Sequence, residues 1–129
     1  MTQFNLRYLA IHSIIHKNRW DIKAEALIYG FSPKDTISTD YITLGAFAAN
    51  YELYKKGLST CLSISYNIPI NHRLLKDIKL YNDFSSLHKR GGDYGDSFMN
   101  VTGCMIHVGP IYMLVDYVLA KNHPWIGNN

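Results

Sequence analysis

The segment from Leu62 to Ile70 alternates strictly between apolar and polar residues, and it limits the possible folds more than any other feature of the chain. Successive side chains of a β-strand point to opposite faces, so this period predicts a strand with one buried and one solvated face. Pro69 has no amide N–H to donate to a neighbouring strand. We therefore expect a strand that either ends at Pro69 or lies at the edge of a sheet.

Three other segments carry apolar residues at helical spacing. The predicted helices cover residues 3–17, 39–56 and 71–89. Thr2 and Asn71 are suitable N-cap residues for the first and third, and Gly57 follows the second, as expected after a helix end. Residues 21–31 fit a helix and a strand equally well.

The C-terminal third is nearly free of charge and allows two interpretations. In the first, residues 98–108 form a strand, and Gly109-Pro110 begins a final helix that runs to Asn122. In the second, residues 97–121 form one buried helix that is kinked at Pro110. The stretch is long enough to span a bilayer, but it contains Asp116 and other polar residues, so we expect no membrane segment.

These elements predict a single compact α+β domain that covers residues 1–129, with three or four helices packed on a small sheet. The alternative is an all-α bundle. A chain of 129 residues has the length of one domain. Its 47% hydrophobic and 18% charged residues exclude an intrinsically disordered protein.

Composition and charge also limit the origin, the compartment and the partners. Ile, Tyr and Asn are abundant while Ala and Glu are scarce, which indicates an AT-rich source genome such as that of a phage. A net charge of +3 is too small to indicate a nucleic-acid-binding protein. The two cysteines, Cys61 and Cys104, lie in apolar surroundings and are predicted to be buried free thiols. We therefore expect a cytoplasmic protein.

The loop that follows the third predicted helix carries the strongest candidate site. Lys89 and Arg90 supply positive charge, and the adjacent Gly91 and Gly92 let backbone N–H groups converge on an anion. His88 is the side-chain type that titrates nearest neutral pH. These residues predict a site for a phosphate-bearing ligand.

The rest of the loop completes the predicted site. Asp93 and Asp96 are candidates for proton transfer or for holding Mg²⁺, and Tyr94 is an aromatic group that could stack on a base. With His88, the two aspartates form the candidate catalytic set. The alternative interpretation is ordinary helix capping followed by a solvated turn.

Three weaker constellations remain. His12 and His16 would share one face of a helix and could bind Zn²⁺ with a third, distant ligand, although half-buried histidines are the simpler interpretation. His107 and Asp116 lie in apolar surroundings, so each needs a polar partner and they are predicted to pair. Cys104 lies three residues before His107, but no nucleophile motif surrounds it.

Two functional hypotheses follow, and no motif decides whether the protein is an enzyme. The first is a small ligand-binding protein, or a hydrolase or lyase, that acts on a nucleotide-like or phosphate-bearing metabolite. The second is a non-enzymatic accessory protein, inhibitor or assembly subunit that acts through protein–protein contacts. Under the second hypothesis the partner is another copy of the chain or another protein.

Overall fold

A computed structural model of the chain describes residues 4–33, 41–46, 49–70, 72–90 and 95–123. Every regular element within these ranges is a β-strand. The strands are, in chain order, β1 Phe4–Lys17, β2 Trp20–Pro33, β3 Tyr41–Ala46, β4 Ala49–Tyr54, β5 Lys56–Pro69, β6 Leu75–Lys89, β7 Ser97–Val108 and β8 Ile111–Lys121. No helix in the described residues is long and apolar enough to cross a membrane.

Six of the strands form one antiparallel sheet in the order β1-β2-β5-β6-β7-β8. Each strand pairs with the next one along the chain, except that the β3–β4 hairpin is inserted between β2 and β5 and forms its own two-stranded sheet. Strands β1 and β8 are therefore the two edges of the large sheet. Such short-range pairing keeps the connections short, as is usual for antiparallel strands.

The predicted α+β fold and its all-α alternative are both wrong. The helices predicted at residues 3–17, 39–56 and 71–89 are β1, the β3–β4 hairpin and β6, and the helix predicted after Pro110 is β8. Apolar residues at helical spacing are ambiguous when a segment also carries many β-branched and aromatic residues. The sequence of β6 does contain strand-like alternation. Between residues 77 and 84, Ile78, Leu80 and Phe84 lie on one face, and charged or polar residues lie on the other.

Three strand predictions are confirmed. The alternating segment 62–70 lies almost entirely in β5, which ends at Pro69 and is an interior strand. The strand alternative for residues 21–31 holds, because they lie within β2, and the predicted strand 98–108 lies within β7. These segments combine β-forming residues with a short period or a nearby turn, so local sequence and pairing agree.

Two tight turns set the strand pairing at both edges of the sheet. Asn18 has a φ of 57° in the two-residue connection between Lys17 and Trp20, and Asn tolerates this left-handed conformation better than most residues. Gly109 also has a φ of 57° and is followed by Pro110, in the two-residue connection between β7 and β8. A glycine at the first turn position is typical of hairpin turns whose twist matches that of the strands. The Gly-Pro pair therefore reverses the chain here and does not begin a helix.

The strand register separates the side chains into an apolar face and a polar face. The apolar face is the one that carries Leu62 and Phe84, and the polar face is the one that carries Ser63 and Ser85. Among the described residues, 21 large hydrophobic side chains are exposed, and 15 of them lie on the apolar face. These 15 are Leu9, Ile11, Ile15, Trp20, Ile28, Leu62, Ile64, Leu80, Phe84, Phe98, Ile111, Met113, Val115, Tyr117 and Leu119.

The large sheet has no second layer among the described residues. Tyr54 of β4 is the one buried hydrophobic residue among the described residues, and no large side chain among them is completely buried. Val115 and Tyr117 of β8 are each 66% exposed. Burial of apolar surface is the main force that drives folding, so a sheet of this kind leaves most of that force unused within one chain.

On the polar face, Tyr81 crosses a glycine to reach the next strand but one. Tyr81, Gly103 and Asp116 occupy one cross-strand row of β6, β7 and β8, and the Tyr81 hydroxyl donates a hydrogen bond to Asp116. A Cβ atom at Gly103 would collide with the Tyr81 ring and with the Asp116 carboxylate. The glycine is therefore required for the close approach of the ring to the backbone.

We expect Gly103→Ala to lower the free energy of unfolding by about 1–3 kcal/mol, because the new methyl group must displace Tyr81 or Asp116. Chemical denaturation monitored by circular dichroism measures this change. The control is Gly30→Ala, where the added Cβ atom would meet only Lys56 Cγ at 3.9 Å and should have little effect. Equal stability of the two variants would contradict this close approach of Tyr81 to Gly103.

Candidate functional site

The polar face carries a row of hydrogen-bonded side chains at the level of Tyr81. At one edge of the sheet, His16 Nδ1 lies 2.5 Å from Asp21 Oδ1, and Lys79 Nζ lies 3.6 Å from Asp21 Oδ2. At the other edge, Asp116 accepts the hydrogen bond from Tyr81. In each of these contacts a polar side chain is bonded to a side chain of another strand, so this row is a structural network of the sheet.

Hydrogen bonding changes the pKa values in this row. The hydrogen bond to Asp116 raises the pKa of Tyr81 to about 12, because the ionised phenolate oxygen could no longer donate this bond and would lie beside a negatively charged carboxylate. At the opposite edge, the hydrogen bond from His16 lowers the pKa of Asp21 from its usual value. Both shifts favour the protonation states that maintain the row at neutral pH.

A second polar group, at the β7–β8 turn, contains the most buried histidine–carboxylate contact of the described chain. His107 Nδ1 lies 3.0 Å from Asp77 Oδ2, and the His107 ring stacks on Tyr112 with a centroid distance of 4.1 Å. The carboxylate orients the imidazole ring. The predicted pairing of His107 with Asp116 is wrong, since the register places the two residues in different rows.

Two of the predicted catalytic residues lie together near the end of β6. His88 Nδ1 lies 2.7 Å from Asp96 Oδ2, and the backbone N–H of Lys89 donates to Asp96 Oδ1 at 3.2 Å. The hydrogen bond from His88 is the main cause of a lowered pKa at Asp96. The other loop residues of the predicted site, Gly91, Gly92, Asp93 and Tyr94, lie outside the described residues.

The two predicted anion-binding cations point to opposite faces of the sheet. Lys89 lies in the polar-face row of Gly57, and its Nζ lies 4.9 Å from the centre of the Tyr54 ring in a cation–π contact. Arg90 is the next residue, and its N–H donates to the carbonyl oxygen of Lys56 at 3.0 Å, which places it opposite Lys56. Sequence adjacency therefore does not bring these two charges to one ligand.

Arg90 instead belongs to a cationic cleft that sequence analysis missed. Arg7, Lys56 and Arg90 line one open cleft of about 360 Å³ at one end of the sheet. Its remaining lining residues are Tyr8, Leu9, Ile28, Tyr29, Gly30 and Gly57. No local motif joins three cations whose successive separations along the chain are 49 and 34 residues, so only the strand register could reveal this cleft.

The remaining candidates change with the fold. On a strand, residues four apart are about 13 Å apart, so His12 and His16 do not form the pair predicted for a helix. No group of three or more His, Cys, Asp or Glu side chains in the described residues is arranged to hold a metal ion.

Both cysteines are free, and they lie on opposite faces of the sheet. Cys61 is exposed and Cys104 is half-buried, so the prediction that both thiols are buried is wrong. Partial burial is the main reason that the pKa of Cys61 is raised, and the charges of Asp83 and Glu25 contribute. A raised pKa makes the reactive thiolate form scarcer at neutral pH.

Comparison of the chain with protein-family models, with curated proteins and with solved structures found no match.

The raised pKa of Tyr81 is directly measurable. We expect its ¹³Cζ resonance to titrate at about pH 12, and Asp116→Asn to return this midpoint towards 10, since the charged acceptor is removed. NMR titration of tyrosine-labelled protein measures both midpoints. An unchanged midpoint in Asp116→Asn would contradict the Tyr81–Asp116 hydrogen bond as the cause.

The lowered pKa of Asp96 predicts a dependence of stability on pH. The ionised carboxylate stabilises the folded state at pH values above the ordinary carboxyl pKa of about 4, and this contribution is lost as the pH falls through the lower folded-state pKa. We expect Asp96→Asn to lower the melting temperature at pH 7 and to have little effect at about pH 2.

Asp83→Asn is the matched control for this experiment, because Asp83 Oδ1 is buried and has no hydrogen-bond partner in the described structure. Thermal unfolding across the pH range gives the two profiles. If Asp96→Asn and Asp83→Asn lose the same stability at pH 7, the His88–Asp96 contact is not the stabilising interaction.

Proposed function

We propose that this protein is a non-enzymatic assembly subunit, and that its apolar face packs against the same face of a second copy. The observation that supports this function is the concentration of 15 exposed large hydrophobic side chains on one face. Monomeric proteins rarely expose a contiguous apolar surface of this kind, and such surfaces are typical of interaction sites.

The solvent-exposed area of the chain is larger than that of a compact monomer, and the difference has the size of a dimer interface. The chain exposes 9837 Å², whereas a compact monomer of 14.8 kDa exposes about 7,000 Å². The excess is about 2,800 Å², and an obligate homodimer buries about 1,000–2,500 Å² on each subunit. A face-to-face dimer would therefore remove an area comparable to the whole excess and create the second layer that the sheet lacks.

The polar groups on the apolar face are compatible with burial. Asn82 and Asn100 exchange two amide hydrogen bonds of 3.0 and 3.1 Å, and Asn82 also donates to Thr102 at 2.7 Å. The hydroxyls of Thr60 and Ser86 form a hydrogen bond of 2.7 Å. Because these groups already have partners, covering them would not leave several donors unsatisfied.

Charge on the apolar face is confined to positions at or near the strand ends. Arg7, Lys17, Lys56 and Lys121 lie there, as does Arg90 just after β6, and no acidic residue shares the face within the six strands. A central apolar region with charged residues around it is the usual arrangement of a protein interface.

The competing prediction, a hydrolase or lyase that acts on a nucleotide-like metabolite, has less support, because Lys89 and Arg90 lie on opposite faces of the sheet. We assign the assembly to the cytoplasm, since the two free thiols lie on opposite faces and cannot form a disulfide within the chain.

The test replaces Phe84 at the centre of the apolar face. We expect the wild-type chain to sediment as a dimer, and Phe84→Glu to weaken dimerisation at least about 100-fold, because an unpaired carboxylate would be buried. Analytical ultracentrifugation over a range of concentrations measures both. The matched control is Ser85→Glu, which places the same charge on the adjacent residue of the polar face and should leave the dimer unchanged.

Folding is monitored in the same samples by circular dichroism. Phe84 is 39% exposed in one chain and its ring stacks on that of Phe98, so its replacement also removes contacts within the chain. The concentration dependence of the wild-type melting temperature separates the two effects, because a dimer becomes more stable as the protein concentration rises. A wild-type monomer at about 100 μM, with a melting temperature independent of concentration, would overturn the proposal.

A further inference from the structure

We propose that Arg7, Lys56 and Arg90 bind the phosphate groups of a small ligand that carries a diphosphate, such as pyrophosphate or a nucleoside diphosphate. The site lies at one end of the apolar face, where Leu9 and Ile28 belong both to the cleft and to that face, and the positive charge of the cleft supports it independently of the dimer. It shares only Arg90 with the loop site predicted from sequence.

The three cations occupy one cross-strand row at one end of the sheet. Arg7 on β1 lies opposite Gly30 on β2, Gly30 lies opposite Lys56 on β5, and the N–H of Arg90 donates to the Lys56 carbonyl oxygen. Adjacent strands are about 4.8 Å apart, so the backbones of Arg7 and Lys56 are about 10 Å apart with a glycine between them. Side chains as long as Arg and Lys span this distance from both sides.

Gly30 makes the centre of the row accessible. A Cβ atom at this position would meet Lys56 Cγ at 3.9 Å and no other atom within 4 Å, so the space above the glycine is open except for the Lys56 side chain. All three cations line the same cleft. An anion above Gly30 would therefore be within reach of two guanidinium groups and one ammonium group.

The positive charge in this row is not neutralised by the described residues. Arg7, Lys56 and Arg90 form no ion pair there, whereas Lys79 does. Asp96, which lies beyond the nearby β6–β7 connection, is already bonded to His88 and to the Lys89 backbone. Like charges directly opposite each other destabilise a sheet, and a bound anion would remove this repulsion.

The charge and size of the cleft favour a diphosphate. Three positive charges match the three to four negative charges of free pyrophosphate or a nucleoside diphosphate, and guanidinium groups bind phosphate oxygens in bidentate geometry. A cleft of about 360 Å³ is at the lower end of the range for small-molecule sites. Leu9 and Ile28, which lie on the same face, provide apolar surface beside the charges.

A small ligand fits this arrangement better than a nucleic acid. The phosphate backbone of a nucleic acid requires a cationic stripe along its path, often interleaved with stacking aromatics. Here three cations share one row of the sheet without a continuing stripe of cations along it, and the net charge of the chain is only +3.

Isothermal titration calorimetry at constant ionic strength, with pyrophosphate and ADP as probes, tests the site. We expect both to bind the wild-type chain, and adenosine, which has no phosphate, not to bind. Lys56→Gln, Arg7→Gln and Arg90→Gln should each weaken pyrophosphate binding at least about tenfold. Lys121→Gln removes the same charge from the apolar face at a distance from the cleft, and it should change the affinity less than about twofold.

Thermal unfolding adds a readout that distinguishes a binding role from a structural role. In the absence of ligand, Lys56→Gln should unfold at the same or a higher temperature than wild type, because it relieves the repulsion with Arg90. With pyrophosphate, the melting temperature of wild type should rise and that of Lys56→Gln should not.

Absence of pyrophosphate and ADP binding in the wild-type chain would overturn the proposal. An equal loss of affinity in Lys121→Gln would also overturn it, since the binding would then reflect net charge alone. A single-stranded oligonucleotide that binds more tightly than ADP, and that pyrophosphate does not displace, would assign the row to nucleic acid and contradict the small-ligand site.

Discussion

The structure depends on the backbone hydrogen-bond ladder between antiparallel neighbours. Six strands of 11 to 15 residues pair in nearly unbroken register from β1 to β8, with one irregularity between Leu75 and Asp77. This ladder satisfies the backbone polar groups of every interior strand. It does not bury apolar side chains, because one layer has no partner surface. The ladder therefore defines the shape of the chain, but the free energy of burying apolar side chains can be gained only when the sheet associates with a partner.

The two faces of the sheet differ in what their side chains contact. On the polar face, side chains satisfy one another across the strands, as in the contact of Tyr81 with Asp116 over Gly103. On the apolar face, the paired amides of Asn82 and Asn100 are surrounded by exposed hydrophobic residues. A polar pair in an apolar interface is a known way to select one register of association. The proposed dimer would thus bury a surface whose polar groups are already satisfied.

The row formed by Arg7, Lys56 and Arg90 lies at one end of the sheet, away from the centre of the apolar face. Lys56 begins β5 and Arg90 follows β6, so the charges of Arg7, Lys56 and Arg90 meet at one end of the sheet. Their mutual repulsion opposes folding, whereas elsewhere in the described sheet opposite charges are in contact, such as Lys79 with Asp21. Local departures of this kind from the stabilising pattern are typical of functional positions.

Sequence reasoning recovered the fold only where period and residue type agreed. The alternation around Leu62 and Ile64 identified β5 and its end at Pro69, and β-branched residues identified β7. It failed in β1 and β6, where apolar residues at helical spacing were preferred over strand-forming composition. The abundance of Ile and Tyr with scarce Ala and Glu indicates codon bias, and it also favours strands over helices.

For the candidate site, sequence alone identified chemistry but not geometry. His88 and Asp96 could be grouped because a short connection separates them, and they are in contact. Lys89 and Arg90 were grouped for the same reason, yet adjacent residues of a strand point to opposite faces, so the fold separates them. Arg7 and Lys56 reach Arg90 only through the β1–β2–β5–β6 pairing. The sequence by itself determined which residues are charged or apolar and where the chain turns, because these are local properties. The tertiary structure alone decided which residues share a row and a face, because register is a relation between strands that are distant in sequence.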